Sequence, residues 1–287
     1  MKYTMDDVTG LAGGQLFVCA TPIGNLEDIT LRVLRVLGEV DLIAAEDTRR
    51  TLKLLNHYEI STPLTSYHEH NRHKKGPVLV DRLVAGQNVA LVSDSGMPGI
   101  SDPGQELIKI CHEKGVGVTI CPGASAGVAG LVLSGMDSRR YVFEGFLPRT
   151  KKERGKALEA LVLERRTIVI YEAPHRILGA LNEIFARLGD RRAAVVREIT
   201  KKFEEVKGGR LSDLVRYYED NPPRGEFVLV IEGACCEEDD LNWPEDLSEH
   251  MARYLESGLE EKEAMKMVAR DRKLPKSAVY SAYKIKK

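Results

Sequence analysis

Long apolar runs are missing from this 287-residue chain: no stretch approaches the ~18 residues that a bilayer-spanning helix requires. The first residues, Met1 and Lys2 followed by Asp6 and Asp7, lack the basic flank and apolar stretch of a signal peptide, so no membrane association and a cytoplasmic location are expected. Cysteine is scarce and odd in number. The five residues, at 19, 111, 121, 235 and 236, have no C-x-x-C spacing, which argues against a disulfide framework and a zinc ribbon and points to a reducing compartment. Net charge is nearly absent, 42 Lys+Arg standing against 43 Asp+Glu, so bulk positive charge does not attract a nucleic acid, although local patches still can. The usual phosphate cradles are missing as well. Neither G-x-x-x-x-G-K-[ST] nor a G-x-G-x-x-G after a strand occurs, which removes the best support for kinase, GTPase and dinucleotide-dehydrogenase readings.

What is present is 43% hydrophobic residues, enough for a real core, on a length that at about 150 residues per domain suggests two domains. From Gln15 to Leu133, β-branched runs alternate with helical-period segments, each separated by Gly, Pro, Asp or Ser, as in a βα-repeat sheet. The pattern predicts strands at Leu16 to Ala20, Val40 to Ala44, Val89 to Val92 and Val116 to Ile120. Helices are predicted at Thr30 to Leu37, Thr48 to His57, Gly76 to Ala85, Pro103 to Lys114 and Ala124 to Ser134. A second αβ block has apolar runs at Thr167 to Tyr171, Ala193 to Val196 and Glu226 to Ile231, with helices at Lys151 to Leu163, Pro174 to Leu188 and Leu211 to Tyr218. The expected organisation is an α/β domain over 1–136, a hinge near Gly135 to Arg140, a second α/β domain over 137–233, an acidic linker over 234–249 and a basic helical extension over 250–287. That extension carries ten Lys+Arg against five acidic residues and reads as two helices around Pro275, in a helix-turn-helix or a hairpin packed on the core.

The most informative segment is Ser93-Asp94-Ser95-Gly96-Met97-Pro98-Gly99-Ile100-Ser101-Asp102-Pro103-Gly104, directly after an apolar strand. Small residues and prolines at a strand's C-terminal end let a ligand approach the backbone. Asp102 with Gln105, and Pro103 between them, fit a capping box that opens the next helix, whereas Asp94 and Gly96 have no such structural reason. Thr21-Pro22-Ile23-Gly24-Asn25 and Pro122-Gly123-Ala124-Ser125-Ala126 are similar loops after two other strands, and three such loops converging on one sheet edge are a stronger signal than any alone. His68, His70 and His73 have no matching cysteine or carboxylate set, so no metal site is expected; a solvated turn or an RNA-contacting loop fits them better.

These loops, with Ala45-Glu-Asp-Thr-Arg49, Glu144-Gly-Phe-Leu-Pro148, Tyr171-Glu-Ala-Pro-His-Arg176, Arg197-Glu-Ile-Thr-Lys201 and Gly225-Glu-Phe-Val-Leu-Val-Ile-Glu-Gly233, closely resemble the ribosomal RNA small subunit methyltransferase I family of the tetrapyrrole methylase superfamily. The resemblance runs in order from about Gly14 to Gly233. It implies two α/β domains with S-adenosylmethionine in the cleft between them, a homodimer, no metal, and methyl transfer to the ribose 2'-hydroxyl of a cytidine (1402) in 16S rRNA of the small ribosomal subunit. It places the cofactor against Pro22, Asp94, Gly96, Pro98, Ile100 and Ser101, with Ser125 and Ala126 nearby and Tyr171 and Glu172 from the second domain. One departure is Met97-Pro98-Gly99, where the family's loop often continues Thr-Pro-Leu.

A ribose hydroxyl is a poor nucleophile until it loses its proton, so a base is expected. The candidates are Glu46, Asp47, Glu198 and Lys201, although Asp47 also suits a helix N-cap. Arg49 and Arg197 suit RNA phosphate better, and Arg149, Lys151 and Lys152 form a basic cluster able to do the same. Two alternatives remain at this point. One is a methylase of a tetrapyrrole intermediate, for which a basic tail has no use; the other is a ribosome-binding factor without catalysis, which would have no reason to keep three loops open to a small ligand.

Overall fold

The computed structural model describes residues 13–234, 244, 246–256, 259–272 and 274–285. The chain divides into one compact unit up to Ala234 and a second from Cys235 onward. In the first unit, strands β1 (Gln15–Cys19), β2 (Leu42–Ala45), β3 (Leu64–Ser66), β4 (Val89–Val92) and β5 (Gly117–Cys121) form a parallel sheet in the order β3-β2-β4-β1-β5. Helices α1 (Leu31–Glu39), α2 (Thr48–His57), α3 (Arg72–Val84) and α4 (Gln105–Glu113) make the crossovers.

β1, β2 and β4 are buried along their whole length, which is why they read as unbroken apolar runs. The pleat divides them between two cores. Leu16 and Val18 pack with Leu79, Leu83 and Leu107 of α3 and α4, while Phe17 and Cys19 pack with Val33, Leu37 and Leu55 of α1 and α2. The helix starts are locally encoded: Thr30 caps α1 by accepting the Val33 N–H, and Asp47 caps α2 by accepting the Arg49 N–H. α3 begins a turn before the predicted Gly76, at Arg72, and carries Pro77 inside it.

After α5 (Ala126–Leu133), β6 (Tyr141–Phe146), β7 (Thr167–Glu172), β8 (Arg192–Arg197), β9 (Glu205–Arg210) and β10 (Phe227–Ile231) form a second sheet in the order β6-β7-β10-β8-β9. β6 and β7 are parallel and the other pairs antiparallel. Helices α6 (Lys151–Ala160), α7 (Ile177–Leu188) and α8 (Leu211–Asp220) complete this part of the unit. β3, β6 and β9 were not predicted from the sequence. All three are edge strands, and β9 (Glu-Val-Lys-Gly-Gly-Arg) has no apolar run to betray it.

β10 divides its side chains between two environments. Phe227, Leu229 and Ile231 enter a core with residues of α6, α7 and α8, while Val228 and Val230 pack with Leu131 of α5, Ile199 beyond β8 and Ile23 from the loop after β1. That second cluster brings the loops of one sheet against a face of the other.

The second unit consists of α9 (Leu247–Glu256), α10 (Glu261–Asp271) and α11 (Lys276–Ile285) around Met251, Ala264, Val268, Ala269 and Val279. The two helices predicted around Pro275 are present and share a core with a third. α9 begins inside the stretch expected as linker; 235–243 of that stretch, with both neighbouring cysteines and Trp243, lie outside the described residues.

The fit of α5 on β10 gives a direct test. A Cβ on Gly130 would lie 2.8 Å from Val228 Cγ1 and 3.0 Å from its Cβ. Gly130→Ala is expected to destabilise the protein by about 1–3 kcal/mol through overpacking, read as a lower urea midpoint at unchanged slope. Gly38→Ala in α1, where no atom lies within 4 Å, is expected to be neutral or stabilising by up to about 1 kcal/mol.

Candidate active site

The loops after β1 and β4 are stitched together at the C-terminal edge of the first sheet. The Thr21 N–H donates to Gly96 O (2.8 Å), the Gly96 N–H returns to Thr21 O (3.1 Å), and the Thr21 hydroxyl donates to Ser93 O (3.1 Å). Gly96 sits at φ +84, in the left-handed region that favours glycine. Between these loops, the start of α5 and the ends of β6, β7 and β10 lies a cavity of about 370 Å³, within the range of small-molecule sites.

Tyr171 ties its two walls together. Its hydroxyl accepts the Gly127 N–H at the start of α5 (2.8 Å), and its ring meets Phe143 and Phe146 edge-on at 4.9 and 5.5 Å. Burial pushes its phenol pKa above the ordinary value.

Three carboxylates from the first sheet's loops face the cavity: Glu46, Asp94 and Asp102. Asp94 is fully engaged, one oxygen accepting the Asp47 N–H (2.9 Å) and the other facing Arg50 of α2 (3.4 Å). Glu46 accepts the Asp94 N–H (3.2 Å); burial raises its pKa, aided by the Asp94 charge and opposed by that hydrogen bond. For Asp102, burial first and the Glu46 charge second push the carboxyl up to about 7, with the Ser93 hydroxyl partly offsetting them. This corrects the capping box expected there. α4 starts at Gln105 with Gly104 at its cap position, no side chain caps it, and the Asp102 carboxyl is left to the cavity. A fourth acid, Glu172, is buried at the end of β7. Its Oε1 accepts the Ala173 N–H (2.9 Å) and pairs with Arg176 (3.2 Å), Oε2 has no partner, and burial raises its pKa.

Of the residues singled out in the sequence, Asp94, Gly96, Ile100, Ser101, Ser125, Ala126, Tyr171, Glu172 and Glu46 line this cavity. Pro22 and Pro98 do not; Pro22 precedes Ile23, which does, and Pro98 is buried within its loop. The Asp47 carboxyl lies outside, clasped by its own Arg49 (2.7 and 3.0 Å), which holds it well below the usual carboxylate range. Glu198 and Lys201 pair with each other (3.0 Å), and Lys201 also pairs with Glu226 (2.9 Å); they flank the cavity through Ile199 and Glu226, which line it. Arg197 pairs with Glu205 (3.0 Å). Arg149 precedes α6, whose Lys151 and Lys152 border a separate shallow hollow with Lys156 and Arg187. Sequence reasoning missed Arg50, Met97, Phe146 and the cavity role of Asp102; for Arg50 the only signal was its place one residue after Arg49 on a helix opening at the sheet edge.

His68 Nε2 lies 3.2 Å from the Asn71 amide nitrogen, and His73 Nδ1 lies 2.8 Å from Glu106. Among the described residues, no group of three His, Cys, Asp or Glu is arranged to hold a metal ion.

Residues 15–215 match the tetrapyrrole (corrin/porphyrin) methylase family. The chain is 48% identical over 277 residues to ribosomal RNA small subunit methyltransferase I of Bacillus subtilis, covering 95% of each chain. It is 47% identical to the protein of that name from Synechocystis, covering 93% of this chain and 96% of the other. Among solved structures, uroporphyrin-III-C-methyltransferase from Thermus thermophilus superposes with a TM-score of 0.55 at 20% identity, over 76% of this chain and 94% of that one, which reflects the shared fold. The chain is a methyltransferase of the tetrapyrrole methylase family and belongs, within it, to the ribosomal RNA small subunit methyltransferase I family.

Proposed function

We propose that the chain transfers a methyl group from S-adenosylmethionine, held in the cavity, to the ribose 2'-hydroxyl of a cytidine (1402) in 16S rRNA of the small ribosomal subunit. The observation that carries this reading is the likeness to relatives of that name over 95% of both chains, spanning the cavity loops and the C-terminal helices together. Mapping ribose methylation on 16S rRNA from cells with and without the gene tests it: loss of the modified cytidine is expected, and an unchanged map refutes it.

The residues present suit that cofactor. Its sulfonium and ammonium are cations, and Glu46, Asp94 and Asp102 supply negative charge; Met97, Ile100, Phe146 and Val228 offer apolar surface to its adenine. Gly96, at φ +84, lets the backbone line the cavity without a side chain in a conformation that other residues rarely adopt. When bound, S-adenosylmethionine supplies a methyl group already activated by its sulfonium.

The chain's own residues then position the acceptor and take its proton, and positioning alone accounts for much of such a rate. Asp94 is committed to Asp47 and Arg50, and Glu46 to the Asp94 N–H, whereas Asp102 ionises near neutrality beside both. Asp102 is therefore the proton acceptor in this reading. Tyr171, its phenol pKa raised, stays protonated and structural. Arg50 at the cavity, with Arg49, Arg197, Arg149, Lys151 and Lys152, is assigned to RNA phosphate. Of these, Arg49, Arg50 and Arg197 must exchange an ion pair with Asp47, Asp94 or Glu205 respectively to serve.

The homodimer is assigned to edge strand β5, helix α5 and edge strand β6, which leave Ile120, Val128, Val132 and Tyr141 exposed, Val132 by 67%. No described helix is long and apolar enough to cross a membrane, and a cytoplasmic enzyme is the reading we adopt.

Asp102→Asn is expected to lower kcat by about 10²–10⁴-fold with little change in KM for the subunit. Wild-type kcat/KM for S-adenosylmethionine should rise about tenfold per pH unit up to about 7 and then level, while the residual rate of the variant shows no such limb. Because the folded state raises this carboxyl above its unfolded value of about 3.9, the fold loses stability as pH climbs between the two values. The Asn variant should accordingly melt higher than wild type at pH 8, with the advantage shrinking toward pH 4. Val132→Glu, placing a charge on the exposed apolar face, is expected to convert a dimer to a monomer in light scattering without lowering the urea midpoint of the monomer.

A further inference from the structure

The segment 198–204, between β8 and β9, is held in a costly backbone conformation. Glu198 (φ +49) and Thr200 (φ +64) are both non-glycine residues in the left-handed region, a sparsely populated conformation that persists only where the surroundings enforce it. Here they do. Ile199 is buried against Ile23 and Val228, Lys201 bridges Glu198 and Glu226, the Glu198 carboxylate accepts the Glu226 N–H (2.9 Å), and the Thr200 N–H donates to Glu204 (2.6 Å).

Two glycines make room for it. A Cβ on Gly24 would lie 2.4 Å from Lys201 Cγ, and one on Gly225 would lie 2.5 Å from the Glu198 side chain. The base of the loop is thus wedged between the loop after β1 and the start of β10, and its Ile199 lines the cavity. From this rigid base the tip presents Phe203, 65% exposed, with the Lys202 ammonium 5.6 Å from its ring centroid. Lys202 and Phe203 belong to none of the four apolar cores of this unit. Nor do they belong to the apolar face assigned to the dimer, because β9 and β6 lie at opposite edges of the second sheet.

We propose that Phe203 is a positioning residue that stacks on a nucleobase of the single-stranded RNA beside the acceptor nucleotide, while Lys202 pairs with the adjoining phosphate. This rests on the RNA reading above. The chemistry fits it: an exposed aromatic face accepts any base, a neighbouring lysine complements the backbone, and a base splayed from its strand is the form in which RNA offers single nucleotides to proteins. A rigid loop suits the task because little ordering entropy is lost when the base arrives.

The test uses the full chain with small ribosomal subunits as substrate. Phe203→Ala is expected to raise KM for the subunit roughly 5- to 150-fold, the range of one lost base stack. Phe203→Trp and Phe203→Tyr should restore it and Phe203→Leu should not, since a merely apolar contact would accept leucine. Lys202→Ala should reduce the slope of log affinity against log salt by about 0.7. In parallel, a short single-stranded RNA carrying 2-aminopurine should be quenched on binding wild type and not the Ala variant, a signal that needs no methyl transfer and survives even if the methyl acceptor is a different nucleotide. S-adenosylmethionine affinity by calorimetry should be the same in all variants, which separates a lost stack from a damaged cavity. Normal KM in Phe203→Ala, rescue by leucine equal to that by tryptophan, or quenching unchanged in the Ala variant would each overturn the proposal.

Discussion

The apolar contact between Val228 and Val230 of β10 and the residues Ile23, Leu131 and Ile199 is what joins the two sheets of the first unit. Each sheet buries its strands against its own helices. Only this cluster draws in Ile23 from a loop of the first sheet and Ile199 from a loop of the second, and both residues also line the cavity. The cavity is in that sense a by-product of packing: two loop systems pressed onto one apolar face leave a space between them. Its walls are stiff because the loops are secured again, by the Thr21–Gly96 backbone exchange on one side and the Lys201 ion pairs on the other.

Within that frame the electrostatics are deliberately uncomfortable. Glu46, Asp94 and Asp102 are brought close enough for each charge to disfavour the next, and burial works in the same direction. Arg50 relieves part of this through Asp94. A cluster of acids with a single arginine among them is poor for stability and suited to a cationic ligand, the usual trade between a functional site and the fold that carries it.

Much of the architecture was legible in the sequence because burial writes a plain signal. β1, β2 and β4 are covered on both faces, so each is an apolar run, and the Gly and Pro punctuation between them gave the crossovers. Of the edge strands, β5 was legible from its Val-Thr-Ile run, whereas β3, β6 and β9 escaped, β9 because polar or small residues such as Lys207, Gly208 and Gly209 carry no such run. At the site, nine of the residues named from the resemblance or as bases line the cavity, since backbone-approach loops have a compositional signature. Asp102 was misread for a physical reason: an acid before Pro and a Gln at the third position is the pattern of a helix cap, and only the start of α4 two residues later frees its carboxyl. Asp47 shows the converse, its capping role being the one the structure displays.

The order of the second sheet has a further consequence. β6 and β9 are separated by three strands, so at about 4.8 Å per strand their edges stand roughly 19 Å apart. Substitutions on the two margins share no side-chain partner at that distance, and their energetic effects should add. Each margin of the sheet is thus free to drift in evolution without disturbing the other, with the cavity between them left intact.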